Sequence, residues 1–245
     1  MATYNDYGIV LSSYKFGESD KILNIYTKTS GLVKAVCKGS RKLTSSFGSK
    51  VDQLSCCYFQ FAKGKNLYTV CECEQVKSFA LLRSDLTRLT YGMLFIEIVS
   101  NFAHEEESES KEVYELLYSS LDKLQRIINP ELLAIEFLLE FLSIHGYKPQ
   151  FDTCVSCSKV INLVDTIKSY SYSSILGGLL CSGCADLIDH KAVSLDILKI
   201  LIPSSSSQLS VPTNKDIRLI LELLKEHVNM RAKNKIKSFD LAFSL

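Results

Sequence analysis

The apolar residues of this chain change their period once, near Arg83, and that change restricts the folds open to it. Before Arg83 they fall in short runs rich in β-branched and aromatic residues, at 7–14, 22–28, 32–38, 54–61 and 67–76. Turn signals such as Ser30-Gly31 and Lys63-Gly64-Lys65-Asn66 separate the runs. A five-stranded sheet with no helices of its own to cover it is best protected by closing on itself, because an open sheet leaves unpaired edges. The expected fold class is therefore α+β: an N-terminal five-stranded OB-type barrel over 1–80, then an α-helical domain over 81–245 with an inserted four-cysteine module at about 151–188.

The helical part begins with Ser84 as a plausible cap and Leu86, Leu89, Met93 and Ile96 at helical spacing. The run 104–112, with five carboxylates and no apolar face, reads as a solvated loop or helix end, and a second helix is expected over 112–128. Asn129 can cap a third helix with Pro130 in its first turn, and Gly146 followed by Pro149 ends it. That helix is apolar nearly all round, with Glu136 and Glu140 on one stripe, and is expected at the centre of a bundle. Its 13-residue run 132–144 is shorter than the roughly 20 residues of a membrane span. Further helices are expected at 194–202 and 215–230. The last has Ile217, Ile220, Leu221, Leu224 and Val228 on one stripe, and Pro203, Ser204 to Ser207 and Pro212 suggest a connector before it.

Two Cys-x-x-Cys pairs, Cys154/Cys157 and Cys181/Cys184, stand 23 residues apart. Each such turn can offer two thiolates to one ion, and an intervening hairpin can bring the turns together around a tetrahedral Zn²⁺. Four thiolates close the coordination shell, so the site is expected to be structural, with no position for a reactive water. The alternatives are a redox dithiol or small buried residues, with His190 as a substitute ligand. The other five cysteines, Cys37, Cys56, Cys57, Cys71 and Cys73, fall in expected strands and are read as packing, Cys71 and Cys73 sharing one face. Nine cysteines behind an N-terminus without an apolar leader segment suggest a reducing compartment, so the expectation is a cytoplasmic protein without disulfides.

The chain's net charge is +1, yet its first fifty residues carry eight Lys and Arg against three Asp and Glu, a local +5. Lys38-Gly39-Ser40-Arg41-Lys42 with Thr44-Ser45-Ser46 forms a basic, hydroxyl-rich loop of the kind that wraps phosphates with side chains and backbone N–H groups, or merely solubilises a turn. Tyr14, Phe16, Tyr26 and Phe47 are candidates for stacking on bases. Arg231, Lys233, Lys235 and Lys237 form a second basic segment that can extend such a path. No phosphate-cradling glycine loop, no His-Glu-x-x-His and no nucleophile–histidine constellation is present, so catalysis has no visible carrier and the chain is expected not to be an enzyme.

Gly8-Ile9-Val10-Leu11, Gly17-Glu18-Ser19-Asp20-Lys21-Ile22-Leu23, Thr29-Ser30-Gly31-Leu32, Lys38-Gly39-Ser40-Arg41 and Leu176-Gly177-Gly178-Leu179-Leu180-Cys181 occur in that order along nearly the whole length. In order and spacing they resemble the RecO family of bacterial recombination mediators. The resemblance implies an OB barrel, a helical domain and a zinc module. It implies binding of single- and double-stranded DNA, strand annealing and contact with the C-terminal tail of single-strand-binding protein. With the partner RecR, it also implies loading of RecA onto coated DNA, with the protein nucleoid-associated when bound. Carried to matching positions, Lys21, Lys38, Arg41 and Lys42 become the phosphate contacts, and Glu18 and Asp20 go to turn structure or local ion pairing. Ile236-Lys237-Ser238-Phe239 lacks the arginine with which the family often closes, so no C-terminal DNA contact is carried over. The competing reading is a zinc-stabilised interaction scaffold that does not touch DNA.

Overall fold

A computed structural model describes residues 3–162, 169–202 and 212–244. Contacts divide the chain into two compact units, residues 1–133 with 233–245, and residues 134–232.

The first unit is built on five strands: β1 (Thr3–Phe16), β2 (Asp20–Thr27), β3 (Gly31–Cys37), β4 (Cys56–Ala62) and β5 (Tyr68–Lys77). They close in the order β1-β2-β3-β5-β4, all antiparallel except the β3–β5 pair. This is the five-stranded OB-type barrel expected from the pattern. Alternate residues point inward, so Val10, Leu23, Ile25, Val33, Ala35, Cys37, Cys57, Phe59, Phe61 and Val70 fill the interior, joined by Val51 from a 3₁₀ turn at Gly48–Val51. The alternation breaks at a bulge between Gln60/Phe61 and β5, which turns Val70 and Cys73 toward the core and leaves Cys71 exposed. Cys71 and Cys73 therefore do not share a face, and Cys71 is not a packing residue.

Helix α1 (Leu86–Phe102) starts one residue later than expected: Asp85, rather than Ser84, caps it by accepting from the Arg88 N–H. Of the four residues at helical spacing Ile96 is buried, Leu89 and Met93 are partly covered and Leu86 is exposed, and Tyr91, Leu94, Phe95, Ile98 and Val99 are buried as well. Helix α2 (Ser110–Leu124) leans on the barrel, where Lys28 pairs with Glu115 at 2.5 Å and Cys56 Sγ meets the Tyr114 hydroxyl at 3.3 Å.

The acidic run before α2 is only partly solvated. His104 O accepts from the Leu32 N–H at 2.9 Å, and Glu107 accepts from the buried Tyr26 hydroxyl at 2.8 Å. Gly31 makes this possible. Its φ is +64°, and a Cβ there would stand 2.7 Å from His104 O, so a side chain would force the acidic segment off the β2–β3 turn.

Helix α3 (Pro130–Ile144) runs out of this unit. Asn129 caps it by accepting from the Leu132 N–H, and Glu136 and Glu140 are its exposed side amid buried Leu133, Phe137, Leu138, Phe141 and Leu142. The second unit then carries β6 (Ser169–Ser173), β7 (Gly178–Leu180), a one-turn helix α4 (Ser182–Ala185), β8 (Lys191–Ser194), α5 (Leu195–Leu201) and α6 (Asn214–Asn229). The strands form one antiparallel sheet in the order β7-β6-β8. All five residues of the expected α6 stripe are buried, and Thr213 with Asp216 makes a capping box. The Ser204 to Ser207 connector lies outside the described residues.

The chain ends with α7 (Ser238–Ala242) on the first unit, where Glu97 of α1 accepts from the N–H groups of Lys237 and Ser238 at 2.9 and 2.8 Å. Phe239 is fully buried. The residue that interrupts the basic ending is thus a core residue.

Candidate nucleic-acid interface and metal centre

At one end of the barrel two sequence motifs far apart in the chain are tied together. The Asp20 carboxylate accepts from the Gly39 N–H at 2.8 Å and the Ser19 hydroxyl at 3.0 Å, Ser19 O accepts from the Arg41 N–H at 2.9 Å, and Gly17 O accepts from the Arg41 guanidinium at 3.2 Å. The Gly39 N–H, then the Ser19 hydroxyl, hold the Asp20 carboxyl below its usual range. The Gly17–Asp20 turn is therefore the frame on which the basic loop is hung, in line with the turn-structure reading of Asp20.

The frame changes how that loop can act. The N–H groups of Gly39, Arg41 and Lys42 are all spent inside the protein, the last on Gly39 O at 3.1 Å, so these three are not open to a ligand. Lys38, Arg41 and Lys42 are exposed. Lys21 is different: it pairs with Asp52 at 2.8 Å and is largely covered. Lys15, exposed and directly across the strand pair from Lys21, is a further cation of this end that motif reading passed over, because a lone lysine in a strand carries no spacing signal.

Of the four aromatic candidates, Tyr14 and Phe16 are exposed, whereas Tyr26 is fully buried and Phe47 packs against the barrel core. The C-terminal basic segment is largely occupied with structure. Arg231 bonds Ser174 O and His227 O, Lys233 bonds Ala103 O at the end of α1, and Lys235 pairs with Asp240.

In the second unit the four cysteines converge. Residues preceding the first pair run beside β7: Gln150 N–H donates to Gly177 O, Leu179 N–H to Gln150 O and Val155 N–H to Leu179 O, at 2.9 to 3.0 Å. Gly178 permits this approach, since a Cβ there would lie 2.4 Å from Gln150 O. Cys154 is thereby held beside Cys181, which follows β7 and precedes α4, and the β6–β7 hairpin joins the two turns as expected. All four Sγ atoms lie within 4.8 Å of one another, Cys157 and Cys181 at 3.6 Å.

Thiolates about 2.3 Å from a tetrahedral ion stand roughly 3.8 Å apart, whereas a disulfide needs about 2.05 Å. The spacing fits shared coordination and leaves all four cysteines free. Burial works against ionising Cys154, but the N–H groups of Cys181, Cys157 and Ser156 outweigh it and bring the thiol down to about 6. The Ser156 hydroxyl favours the Cys184 thiolate, yet the sulfurs of Cys181, Cys157 and Cys154 push it up to about 12. One thiolate thus makes the next harder to form, a repulsion that a divalent cation removes. His190 is not among these groups; its Nδ1 meets Ile188 O at 2.9 Å.

A closed OB-type barrel followed by a helical part with a four-cysteine cluster that could hold a metal ion defines the class of protein by architecture. Family comparison makes the assignment specific. The model for Recombination protein O N terminal matches residues 1–79, and that for Recombination protein O C terminal matches residues 83–238. The chain belongs to the RecO family. It is 32% identical over 194 residues to a DNA repair protein RecO of Alkaliphilus metalliredigens, covering 79% of this chain and 76% of the relative. A relative of the same name from Heliobacterium modesticaldum is 27% identical over 252 aligned positions, covering 100% of this chain and 91% of the relative. Membership gives the chain a role in DNA repair and recombination. No helix among the described residues is long and apolar enough to cross a membrane.

Proposed function

We propose that the protein is a non-enzymatic recombination mediator that binds single- and double-stranded DNA on its barrel and anneals complementary strands. With RecR, it promotes RecA loading onto DNA coated by single-strand-binding protein, whose C-terminal tail it contacts. It works in the cytoplasm, at the nucleoid when bound. The functional division is the one read from the pattern: a DNA-binding barrel over 1–80 and a helical domain over 81–245, with the metal module at about 151–188. The observation that carries the reading is the basic loop clamped to the Gly17–Asp20 turn, which presents Lys38, Arg41 and Lys42 as exposed cations in a fixed frame.

Lys21 joins these three in a second tier, exchanging Asp52 for a phosphate. The four cysteines hold Zn²⁺, which supplies a rigid cross-link between two turns and no reactive position.

Phosphate contact releases condensed counterions, with a slope of log affinity on log salt of about −0.7 per phosphate for single strands. Replacing Lys38, Arg41 and Lys42 together by Ala should flatten that slope by about 2. The test is fluorescence anisotropy of a labelled single strand at several salt concentrations, with zinc quantified on the same sample. An unchanged slope would remove the loop from the interface. Zinc without any DNA binding at low salt would favour an interaction scaffold.

A further inference from the structure

Thr3 to Ile9 of β1 pair with β4 and Gly8 onward with β2, so only Gly8 and Ile9 are paired on both sides, and Ser12 to Phe16 pair only with Asp20 to Asn24 of β2. Beyond Leu11 β1 is therefore an open edge, while β2 stays paired with β3 from Lys21 with Cys37 to Asn24 with Lys34. Tyr14 and Phe16, two apart on a strand, point to the same face. They keep 59% and 48% of their surface exposed, although the barrel core is complete without them. Two large rings left in water add no burial energy to the fold and leave apolar surface that a ligand can cover.

What covers them is indicated by their surroundings. Phe16 adjoins Gly17, whose carbonyl holds the Arg41 guanidinium, and Arg41 lies in the loop of Lys38 and Lys42. Leu43, next along that loop, is fully exposed. Lys15 and Lys21, which pair between Tyr14–Ile22 and Phe16–Asp20, point to the other face, so the cations that adjoin the rings are those of the Arg41 loop. An apolar ring pair bordered by cations suits a ligand with flat apolar faces on a polyanionic backbone. Unpaired bases answer that description, whereas a duplex hides its base faces in its own stack.

We propose that Tyr14 and Phe16 form a stacking platform for unpaired bases, so that the β1–β2 arm selects single strands while the basic loop binds phosphates of either form. This rests on the DNA-binding reading given above. The platform supplies what the loop lacks, because side-chain contacts to phosphates do not distinguish a single strand from a duplex.

The test uses the full chain and three labelled probes of equal length: an oligothymidine, an abasic strand with the same number of phosphates, and a duplex. Tyr14→Ala with Phe16→Ala should weaken oligothymidine binding by at least about tenfold, leave the abasic strand and the duplex unchanged, and leave the salt slope unchanged. Both residues are exposed, and an unchanged thermal melt confirms the fold. Tyr14→Phe with Phe16→Tyr, which keeps both rings, should restore binding. Full affinity for oligothymidine in the double Ala variant, or an equal loss on the abasic strand, overturns the platform. In either case the flattened slope of the Lys38, Arg41 and Lys42 variant would still uphold the DNA-binding reading. Failure of the wild-type chain to bind any probe overturns both.

Discussion

Acid should destabilise the 134–232 unit through one side chain, His227. It is completely buried, with Nε2 at 2.8 Å from Tyr147 O and Nδ1 at 2.5 Å from the Tyr172 hydroxyl. A carbonyl can only accept, so Nε2 carries the proton and Nδ1 accepts from Tyr172. Protonating Nδ1 would remove that acceptor and place a cation beside Arg231, whose guanidinium already bonds His227 O at 2.7 Å. Burial first, and the Arg231 charge second, lower His227 from 6.5 to about 4, against a smaller opposing pull from the Tyr147 carbonyl. Between these values the unfolded chain binds a proton that the folded one refuses. The stabilising contribution is therefore complete above about pH 6.5 and is lost as pH falls toward 4. A gap of about 2.5 units at 1.36 kcal/mol each gives about 3 kcal/mol.

Urea denaturation from pH 8 to pH 4, followed by tyrosine near-ultraviolet circular dichroism, measures this loss. His227→Gln keeps one donor and one acceptor but cannot titrate. The cysteine cluster also takes up protons over this range, with Cys154 at about 6, so the quantity to compare is the wild-type slope minus the variant slope. Equal slopes, or a wild type that gains stability relative to the variant on acidification, would refute the reasoning.

Three other outcomes follow from the same geometry. Cys154→Ser should reduce bound zinc from one per chain to none and lower the melting temperature of the 134–232 unit, since the metal contributes folding free energy; elemental analysis with calorimetry checks this, and a fully loaded variant would mean that Cys154 is not a ligand. Gly31→Ala, at φ +64° and 2.7 Å from His104 O, should cost about 1–3 kcal/mol in chemical denaturation, and wild-type stability would show that the acidic segment can move without cost. Asp20→Ala removes a negative charge from the basic end, so charge alone predicts tighter DNA binding. The clamp on Gly39 predicts weaker binding, and titration with a single strand decides between them.

Family membership and backbone geometry meet at the stretches quoted for the resemblance, and the structure explains several of them. Gly17 to Asp20 and Lys38 to Arg41 are separate in sequence but form one hydrogen-bonded corner, and Gly178 is where the first cysteine turn crosses β7.

The strands, the α6 stripe, the cap at Asn129 and the four-cysteine spacing were legible in sequence, because each is set by residues a few positions apart. Tertiary structure alone decided the rest. A bulge opposite Phe61 separated Cys71 from Cys73, and closure of the acidic segment over the β2–β3 turn buried Tyr26. Tyr14 and Phe16, aromatic like Tyr26, stand at the other end of the β1–β2 pair and remain in solvent. Which cations are exposed was likewise undetermined until partners far along the chain arrived, Asp52 for Lys21, Glu115 for Lys28 and Ala103 O for Lys233. Local pattern dictates which way a side chain points from its own element; only the packed chain dictates what it meets there.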